Sequence, residues 1–178
     1  MNRKKLLVIV DYQNDFVSGS LGFPGAEALE GILCAKIDDA HANGDDIIFT
    51  MDTHLDDYLY TQEGKKLPVP HCIRGTQGWN LYGRVAELAE PHPLLEKNTF
   101  GSKVLFGYLL QAPTYDEIEL AGLVSNICVI SNAVIAKAAQ PEARIVVDAR
   151  ATAAPDNAMN EKVLDVMEGL QIEVTNRA

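Results

Sequence analysis

Short apolar runs alternate with longer segments of helical spacing along this chain. Six short apolar runs, most of them with β-branched residues, predict strands, whereas five longer segments of helical spacing predict helices. The strands are predicted at 5–11, 46–52, 93–97, 117–124, 143–149 and 170–176. The helices are predicted at 26–43, 80–90, 102–111, 127–140 and 156–169. This pattern predicts an α/β fold with a six-stranded parallel, Rossmann-like sheet between two helical layers, a three-layer αβα arrangement.

Residues of special conformation support several of these boundaries. Gly44 follows Asn43 as a stop for the first helix, and Ser102 is placed to cap the third. Asp156 is placed to open the last helix. Residues 53–79, in contrast, show no hydrophobic period. A loop of that length inside a compact domain is usually functional, so we expect it to build part of a site.

Length and charge exclude several classes of protein. The 178 residues suffice for a substantial core and no linker-like stretch divides them, so we expect a single domain over 1–178. The formal net charge of -10 argues against a nucleic-acid partner. Only residues 6–10 of the N-terminal run are continuously apolar, which is too short for a signal peptide or a membrane span.

Cysteine usage indicates a reducing compartment. Cys34, Cys72 and Cys128 are odd in number and widely spaced, and no two of them form a CxxC pair. This usage argues against a disulfide framework or a cysteine-based zinc site, and it predicts a cytoplasmic location.

Charged or reactive residues stand at the predicted carboxyl ends of four strands, where open α/β sheets bind ligands. Asp11 and Asp52 directly follow apolar runs, Lys97 lies just past PLLE, and Cys128 lies just beyond the fourth strand. Taken singly, Asp11 can stabilise a turn, Lys97 can be a solvated loop lysine, and Cys128 can be a small core residue. Taken together, a helix N-terminus and an ammonium lower the pKa of a thiol, and a carboxylate can take its proton. The three residues are therefore a candidate nucleophile, cation and base.

Three segments resemble the cysteine-hydrolase superfamily that contains nicotinamidases, pyrazinamidases and isochorismatases. They are VIVDYQNDF, EKNTFGS and AGLVSNICVISNA, which occur in this order and in the expected strand contexts. The resemblance implies the same six-stranded parallel sheet that the hydrophobic pattern predicts. It also implies that Asp11, Lys97 and Cys128 form a catalytic Asp-Lys-Cys triad.

The same resemblance implies the form of the turn before Cys128. In the family a non-proline cis peptide, here between Leu123 and Val124, lies in this turn, and the backbone N–H groups of Val124 and Cys128 form an oxyanion hole. This chain has Ser125-Asn126 where relatives commonly have Thr-Asp. In the family that pair stabilises the turn and takes no part in the chemistry.

A second constellation lies in the aperiodic loop. Asp52 and His54 are two positions apart, so an extended backbone would project both side chains to one side, and His71 follows later in the loop. Two imidazoles and a carboxylate suit zinc, iron or manganese better than calcium or magnesium. An Asp-x-His pair also occurs by chance on protein surfaces, so the pair alone leaves the metal open.

The resemblance extends to this loop. Nicotinamidases bind a divalent metal through an Asp-x-His pair and a later His-Cys pair, which are matched here by Asp52, His54 and the pair His71-Cys72. It therefore implies one divalent metal ion, zinc first with iron or manganese as alternatives, and Glu63 as a further acidic ligand. Isochorismatase-type relatives generally lack this site, so the motif favours the amidase branch.

These assignments predict a nicotinamidase-like amidohydrolase that converts nicotinamide to nicotinate and ammonia through a thioester on Cys128. Phe16, which can pack against an aromatic ring, and Gln13 are assigned to substrate binding. Pro68 stands where many nicotinamidases have an aromatic residue. Two alternatives stay open: the triad can act on another amide, a carbamoyl compound or an isochorismate-like vinyl ether, or the chain can be a non-catalytic binding module. The resemblance also implies a homo-oligomer, a dimer or a tetramer.

Overall fold

A computed structural model describes residues 4–177, in which six strands form one sheet flanked by helices. The strands are β1 (Lys5–Val10), β2 (Asp46–Asp52), β3 (Leu94–Lys97), β4 (Glu117–Leu123), β5 (Arg144–Ala153) and β6 (Glu173–Thr175). The helices are α1 (Asn14–Val17), α2 (Leu29–Asn43), α3 (Gln62–Lys66), α4 (Gly83–Ala89), α5 (Lys103–Gln111), α6 (Ile130–Ala139) and α7 (Asn157–Gly169). The predicted α/β fold is confirmed. The two ends of the predicted 1–178 domain, residues 1–3 and 178, lie outside the described residues.

The strand order is β3-β2-β1-β4-β5-β6, and neighbouring strands are parallel. The chain moves outward from β1 to β3 on one side and from β4 to β6 on the other, so its direction reverses between β1 and β4. Open parallel sheets bind ligands at the carboxyl edge beside such a reversal. The fold therefore places the ends of β1 to β4 at one binding edge.

The sheet separates two apolar cores, because successive side chains of a strand point to opposite faces. Leu7 and Ile9 of β1 pack with residues of α2 and α4 on one face. Leu6 and Val8 pack with residues of α5, α6 and α7 on the other face. A strand that is buried on both faces needs apolar residues at every position, which explains the unbroken run LLVIV.

The capping signals in the sequence have the predicted effect. Ser102 Oγ accepts the N–H of Leu105 at 3.0 Å, and Asp156 Oδ1 accepts the N–H of Ala158 at 2.8 Å. Gly44 ends α2 with a φ of 72°, a left-handed conformation that glycine adopts at low cost. None of the helices within residues 4–177 has the length and apolar character that crossing a membrane requires.

Several element boundaries differ from the prediction by three residues or more, among them the starts of α4 and β6, which were predicted at 80 and 170. Helix α2 begins at Leu29 rather than at residue 26, because Gly25 has a φ of 97° and the turn it makes delays the helix. Strand β5 continues to Ala153 instead of ending at 149. Its pairing with β4 shifts register between Leu120 and Gly122, and an irregular ladder breaks the two-residue period by which strands are recognised.

The aperiodic segment 53–79 is mostly irregular and folds back toward the sheet. It contains a 3-10 turn at Tyr58–Tyr60 and the short helix α3, whose first turn is capped by Thr61. His54 and Ile73 form an isolated parallel bridge that joins the two ends of the segment. The loop is therefore held at the carboxyl end of β2, beside the binding edge.

Candidate active site

The ends of β1 and β3 and the turn after β4 bring the three candidate residues into contact. Lys97 Nζ lies 2.7 Å from Asp11 Oδ2 and 3.6 Å from Cys128 Sγ. Asp11 is fully buried, and Lys97 and Cys128 are each 5% exposed. Water screens such an ion pair far less than one at the surface. Their catalytic roles stay predictions, and the contacts that those roles require are present.

Asp11 has a backbone conformation that is rare for a residue other than glycine. Its φ is 47°, and holding a residue in this left-handed region costs about 1–3 kcal/mol. The Asp11 N–H donates to the carbonyl of Thr50 at 3.1 Å, and Thr50 Oγ1 donates to Asp11 Oδ1 at 2.7 Å. These two bonds hold the carboxylate toward Lys97.

Burial and charge together set the protonation of the three groups. Burial raises the pKa of Asp11, and the Lys97 ammonium offsets that effect only in part. Burial opposes the charged form of Lys97, but the negative charges facing it raise its pKa above the ordinary value. Burial and the Asp11 charge raise the pKa of Cys128 well above that of a free thiol. Lys97 acts on the Cys128 pKa in the lowering direction that the sequence indicates, and burial outweighs it.

A tight turn carries the chain from β4 into α6. The Leu123–Val124 peptide is cis, as the family resemblance implies. Residues Ser125–Val129 then form a single π-type turn, where the sequence predicts continuous α-helix from residue 127. The Val124 carbonyl accepts the N–H groups of Ile127 and Val129 at 3.2 and 3.1 Å. The predicted oxyanion donors, the N–H groups of Val124 and Cys128, thus belong to one wide turn of a kind often found at functional sites.

Ser125, the first residue of the pair at which this chain departs from the family pattern, anchors the turn to a neighbouring helix. Ser125 is fully buried, and its Oγ donates to Asn160 Oδ1 of α7 at 2.6 Å. This bond ties the π-type turn to a second helix. It is a structural role, of the kind that the resemblance implies for this position.

The second candidate constellation is a compact cluster of side chains that could hold a metal ion. Asp52, His54 and His71 are buried, and each offers one ligand atom within 4.8 Å of the others. Asp52 Oδ2 lies 3.0 Å from His54 Nε2 and 3.3 Å from His71 Nε2. Two imidazole nitrogens and a carboxylate oxygen match the ligand preference of zinc, iron and manganese. These residues therefore fit a divalent metal ion.

Neighbouring groups orient the two imidazoles. His71 Nδ1 donates to the carbonyl of Val69 at 2.8 Å, which leaves Nε2 free to face the cluster. The ring of Tyr58 contacts both imidazoles, with centroids 4.6 Å from His54 and 4.9 Å from His71. Its hydroxyl donates to the carbonyl of Leu67 at 2.9 Å. Tyr58 therefore packs the ligand rings in place.

Lys97 joins this cluster to the first one. Its Nζ lies 3.3 Å from Asp52 Oδ1, while Oδ2 of the same carboxylate faces the imidazoles. Burial opposes ionisation of Asp52, but hydrogen bonds from His54 and His71 and the charge of Lys97 hold its pKa well below the usual range. One ammonium thus faces two carboxylates, Asp11 and Asp52.

Glu63 stands at the open side of the cluster. Its Oε1 lies 3.7 Å from His54 Nε2 and 3.6 Å from His71 Nε2, and its side chain is 18% exposed. It does not belong to the group of three whose ligand atoms are all within 4.8 Å. Its role as a metal ligand stays a prediction.

A cavity of about 840 Å³ opens beside both clusters. Lys97 and Ile127 form its wall on the triad side, and His54 and Glu63 form its wall on the loop side. Its volume lies in the range typical of sites that bind small molecules. A ligand in this cavity would contact Lys97 of the first cluster and His54 of the second.

The two residues assigned to substrate binding occupy different environments. Gln13 is fully buried, and its Nε2 donates to the carbonyls of Asp52 and Trp79, both at 2.8 Å. Its Oε1 accepts the N–H of Asp52 at 2.8 Å. Both amide hydrogens are therefore in use and Gln13 positions the Asp52 backbone, while its contact with substrate stays a prediction. Phe16 packs against His71 with ring centroids 5.5 Å apart, and its contact with substrate stays a prediction.

Two supporting residues were missed by reasoning from the sequence. Thr50 bonds the carboxylate of Asp11, and the signal for it is a polar residue inside the apolar run IIFTM. Asp15 Oδ2 accepts the N–H of Cys72 at 2.7 Å, next to His71, and so supports the metal cluster. Nothing in the sequence distinguishes Asp15 from an ordinary acidic residue in the first turn of a helix.

Known proteins share this fold. A family profile described as Isochorismatase domain matches residues 5–178. An uncharacterized isochorismatase family protein, PncA of Bacillus subtilis (strain 168), is 31% identical over 143 residues, which are 74% of this chain and 77% of that protein. The crystal structure of nicotinamidase/pyrazinamidase PncA from Bacillus subtilis superposes with a TM-score of 0.85 at 30% identity, covering 96% of this chain and 98% of that chain. Pyrazinamidase of Pyrococcus horikoshii in complex with zinc has a TM-score of 0.82 at 19% identity, covering 98% of this chain and 99% of that chain.

Proposed function

We propose, from the premise that this chain belongs to the isochorismatase family, that it is a nicotinamidase-like amidohydrolase. It is a hydrolase acting on an amide C–N bond, as its family and its relatives named nicotinamidase indicate. The reaction we propose consumes nicotinamide and water and releases nicotinate and ammonia. The observation that carries this proposal is the contact of the buried Lys97 with both Asp11 and Cys128, 2.7 Å and 3.6 Å away.

Asp11 serves as the base of the first step. Its pKa is raised by burial, so its carboxylate holds a proton more strongly than an exposed one would. It takes the thiol proton of Cys128, and the Lys97 ammonium stabilises the resulting thiolate. The thiolate adds to the amide carbonyl, and the N–H groups of Val124 and Cys128 donate to the oxyanion that forms.

The tetrahedral adduct then collapses to a thioester. The C–N bond breaks, and the proton held by Asp11 leaves with the ammonia. A water molecule next adds to the thioester while Asp11 accepts its proton. The C–S bond breaks, the carboxylic acid is released, and the Cys128 thiolate recovers its proton from Asp11. One water is consumed in each turnover, and the triad returns to its starting state.

We propose that Asp52, His54 and His71 hold one divalent metal ion, with zinc preferred over iron or manganese and with Glu63 as an additional ligand. The convergence of the three ligand atoms supports this, and a relative of the same fold, the Pyrococcus pyrazinamidase, is described in complex with zinc. When bound, the ion supplies a Lewis acid for a ring nitrogen of the substrate. The chemistry at the amide carbonyl remains that of Cys128.

Adding Zn²⁺ to metal-free protein is expected to raise its Tm. At a free concentration one hundred times Kd, binding stabilises the folded state by about 2.7 kcal/mol, which for a chain of this length is a shift of about 5–10 °C. Differential scanning fluorimetry measures the shift. The double variant His54→Ala, His71→Ala should lose it, because both imidazole ligands are gone.

The matched control for this metal test is His41→Ala. His41 contacts His92 with the two Nε2 atoms 2.6 Å apart, so the chain offers a second pair of imidazoles that could bind zinc. A His41→Ala variant should keep the whole shift. If His41→Ala loses the zinc-dependent rise in Tm, or if the double variant keeps it, the zinc binds at a site other than Asp52, His54 and His71.

An amide panel with ammonia detection, run on metal-analysed protein, tests the proposed activity. It contains nicotinamide, pyrazinamide, an aliphatic amide, a carbamoyl compound and an isochorismate-like vinyl ether, whose cleavage is followed separately. We expect nicotinamide to give the highest kcat/KM, on the order of 10⁴ M⁻¹s⁻¹ or above. If the carbamoyl compound or the vinyl ether is turned over preferentially, that compound and not nicotinamide is the substrate on which the triad acts. No turnover of any compound would favour a non-catalytic binding module.

We also propose that the protein is a cytoplasmic homo-oligomer, a dimer or a tetramer. Its proposed partner is a small-molecule amide substrate, with neither nucleic acid nor membrane as a partner. All three cysteines are free thiols, which suits a reducing compartment. The oligomer is carried over from the family resemblance. Light scattering coupled to size-exclusion chromatography measures it directly.

A further inference from the structure

We infer that Asn132 is a positioning residue that fixes the separation between the nucleophile Cys128 and the segment that carries Lys97. Asn132 contributes no reacting atom in this proposal, and it acts through the backbone of its neighbours. The inference rests on the proposed function only in taking Cys128 as the nucleophile.

The carboxamide of Asn132 bonds to two separate stretches of chain. Asn132 lies on α6 and is fully buried. Its Nδ2 donates to the carbonyl of Cys128 at 2.8 Å and to the carbonyl of Phe100 at 3.1 Å. Its Oδ1 accepts the N–H of Ser102 at 2.9 Å. Both amide hydrogens and the oxygen are therefore engaged with backbone groups.

These partners lie on the two sides of the contact between Lys97 and Cys128. Phe100 and Ser102 belong to the connection that leaves β3 directly after Lys97. The third partner is the carbonyl of Cys128 itself. Because a carboxamide is rigid and planar, three bonds from one group fix the connection and the nucleophile relative to each other. The 3.6 Å distance between Lys97 Nζ and Cys128 Sγ spans the same gap.

The connection between β3 and α5, residues 98–102, packs closely on α6, which agrees with the three hydrogen bonds of Asn132. At Gly101, between two of the bonded residues, an added Cβ would lie 2.7 Å from Ile135 Cδ1 and 3.5 Å from Ser131 Cβ. The connection therefore lies directly on the helix that carries Asn132. If the amide were lost, β3 would still be paired with β2, but the connection after Lys97 would be held on α6 mainly by apolar packing, which has no preferred direction.

Gln140, just past the other end of α6, provides a matched control. Its side chain is likewise buried and makes the same three kinds of bond: Nε2 donates to the carbonyls of Leu109 and Pro113 at 3.0 and 3.1 Å, and Oε1 accepts the N–H of Tyr115 at 2.9 Å. None of these partners belongs to the triad or the metal cluster. Replacing Gln140 removes equivalent hydrogen bonds without changing the Cys128 side of the helix.

The experiment compares Asn132→Leu with Gln140→Met, each of which replaces the buried amide by an apolar group of similar size. Tm should fall by similar amounts in both variants, because each leaves backbone groups unpaired. Only Asn132→Leu should lower kcat for nicotinamide, by about 10²-fold with KM within about twofold of wild type, because a small displacement of a reacting group is enough for such a loss. The rate of alkylation of Cys128 by iodoacetamide, followed by mass spectrometry, should change by about tenfold or more in Asn132→Leu alone.

If Asn132→Leu matches Gln140→Met in kcat and in alkylation rate within about twofold, the inference is overturned and Asn132 is a purely structural residue. Should the Leu variant not fold, Asn132→Asp is tested against the same limits, since it keeps the acceptor for Ser102 and loses both donors. The alkylation rate needs no substrate. A wild-type protein that hydrolyses no amide would therefore refute the proposed function and still decide the role of Asn132.

Discussion

Replacing Cys128 by alanine is expected to abolish turnover of nicotinamide while the protein stays folded. Without the thiol no thioester forms, and the remaining groups can only orient a water molecule, so kcat should fall by at least about 10⁴-fold. Cys128 is 5% exposed and loses one buried sulfur, which leaves a small cavity. Ammonia release measures activity, and circular dichroism verifies the fold. Intact-mass spectrometry of the wild type during turnover should detect the acylated protein, and the variant should give none.

Cys34 is the matched control for this substitution. It is also 5% exposed and free, and it lies on α2 in the opposite apolar core, away from Lys97 and Asp11. Cys34→Ala makes the same change in volume and polarity, so it should keep wild-type kcat. An active Cys128→Ala variant would eliminate the thioester mechanism. Equal losses of kcat in the two variants would indicate that the substitutions act by destabilising the fold.

Replacing Gly122 by alanine is expected to damage both stability and activity. Gly122 of β4 is paired with Val10 of β1 and has a φ of 122°, which L side chains rarely adopt. An added Cβ would collide with the carbonyl oxygen, the carbonyl carbon and the nitrogen of Val10. The strain and the overlap together should cost about 3–5 kcal/mol and lower Tm by about 10 °C or more. Because the collision is one residue from Asp11, kcat should fall as well.

Gly31→Ala is the corresponding control. Gly31 lies within α2, and an added Cβ there meets no atom within 4 Å. Alanine favours the helix over glycine by about 0.5–1 kcal/mol, so Tm should rise slightly and kcat should not change. Thermal unfolding and ammonia release provide both measurements. A Gly122→Ala variant as stable as Gly31→Ala would mean that β1 and β4 can separate at low cost.

The sheet and the location of the site were predictable because both follow from simple rules. A parallel strand buried on two faces must be continuously apolar, so LLVIV is recognisable without any neighbour. Parallel strands end at one edge, so Asp11, Asp52 and Lys97, each at the carboxyl end of a predicted strand, are expected to meet. The helix caps at Ser102 and Asp156 are local hydrogen-bond arrangements, and local sequence determines them.

The parts that escaped prediction depend on tertiary contacts. The left-handed φ of Asp11 is imposed by its surroundings, and no pattern of residues encodes it. The sequence also does not show that the Gln13 amide donates to the carbonyls of Asp52 and Trp79. The sequence displays the charges beside Cys128 but not the depth of its burial, which raises the pKa of the thiol.

The register of the paired strands also sets the relative positions of the candidate catalytic and metal-site residues. Asp52 of β2 is the direct cross-strand partner of Lys97 in β3, and Val10, just before Asp11, is paired with Gly122 in β4. A slip of one residue in either pair would turn a functional side chain to the opposite face of the sheet. Insertions or deletions within these strands should therefore be far less tolerated than equal changes in the connecting loops on the opposite edge. A library of single-residue deletions, scored separately for folding and for ammonia release, would map that difference along the chain.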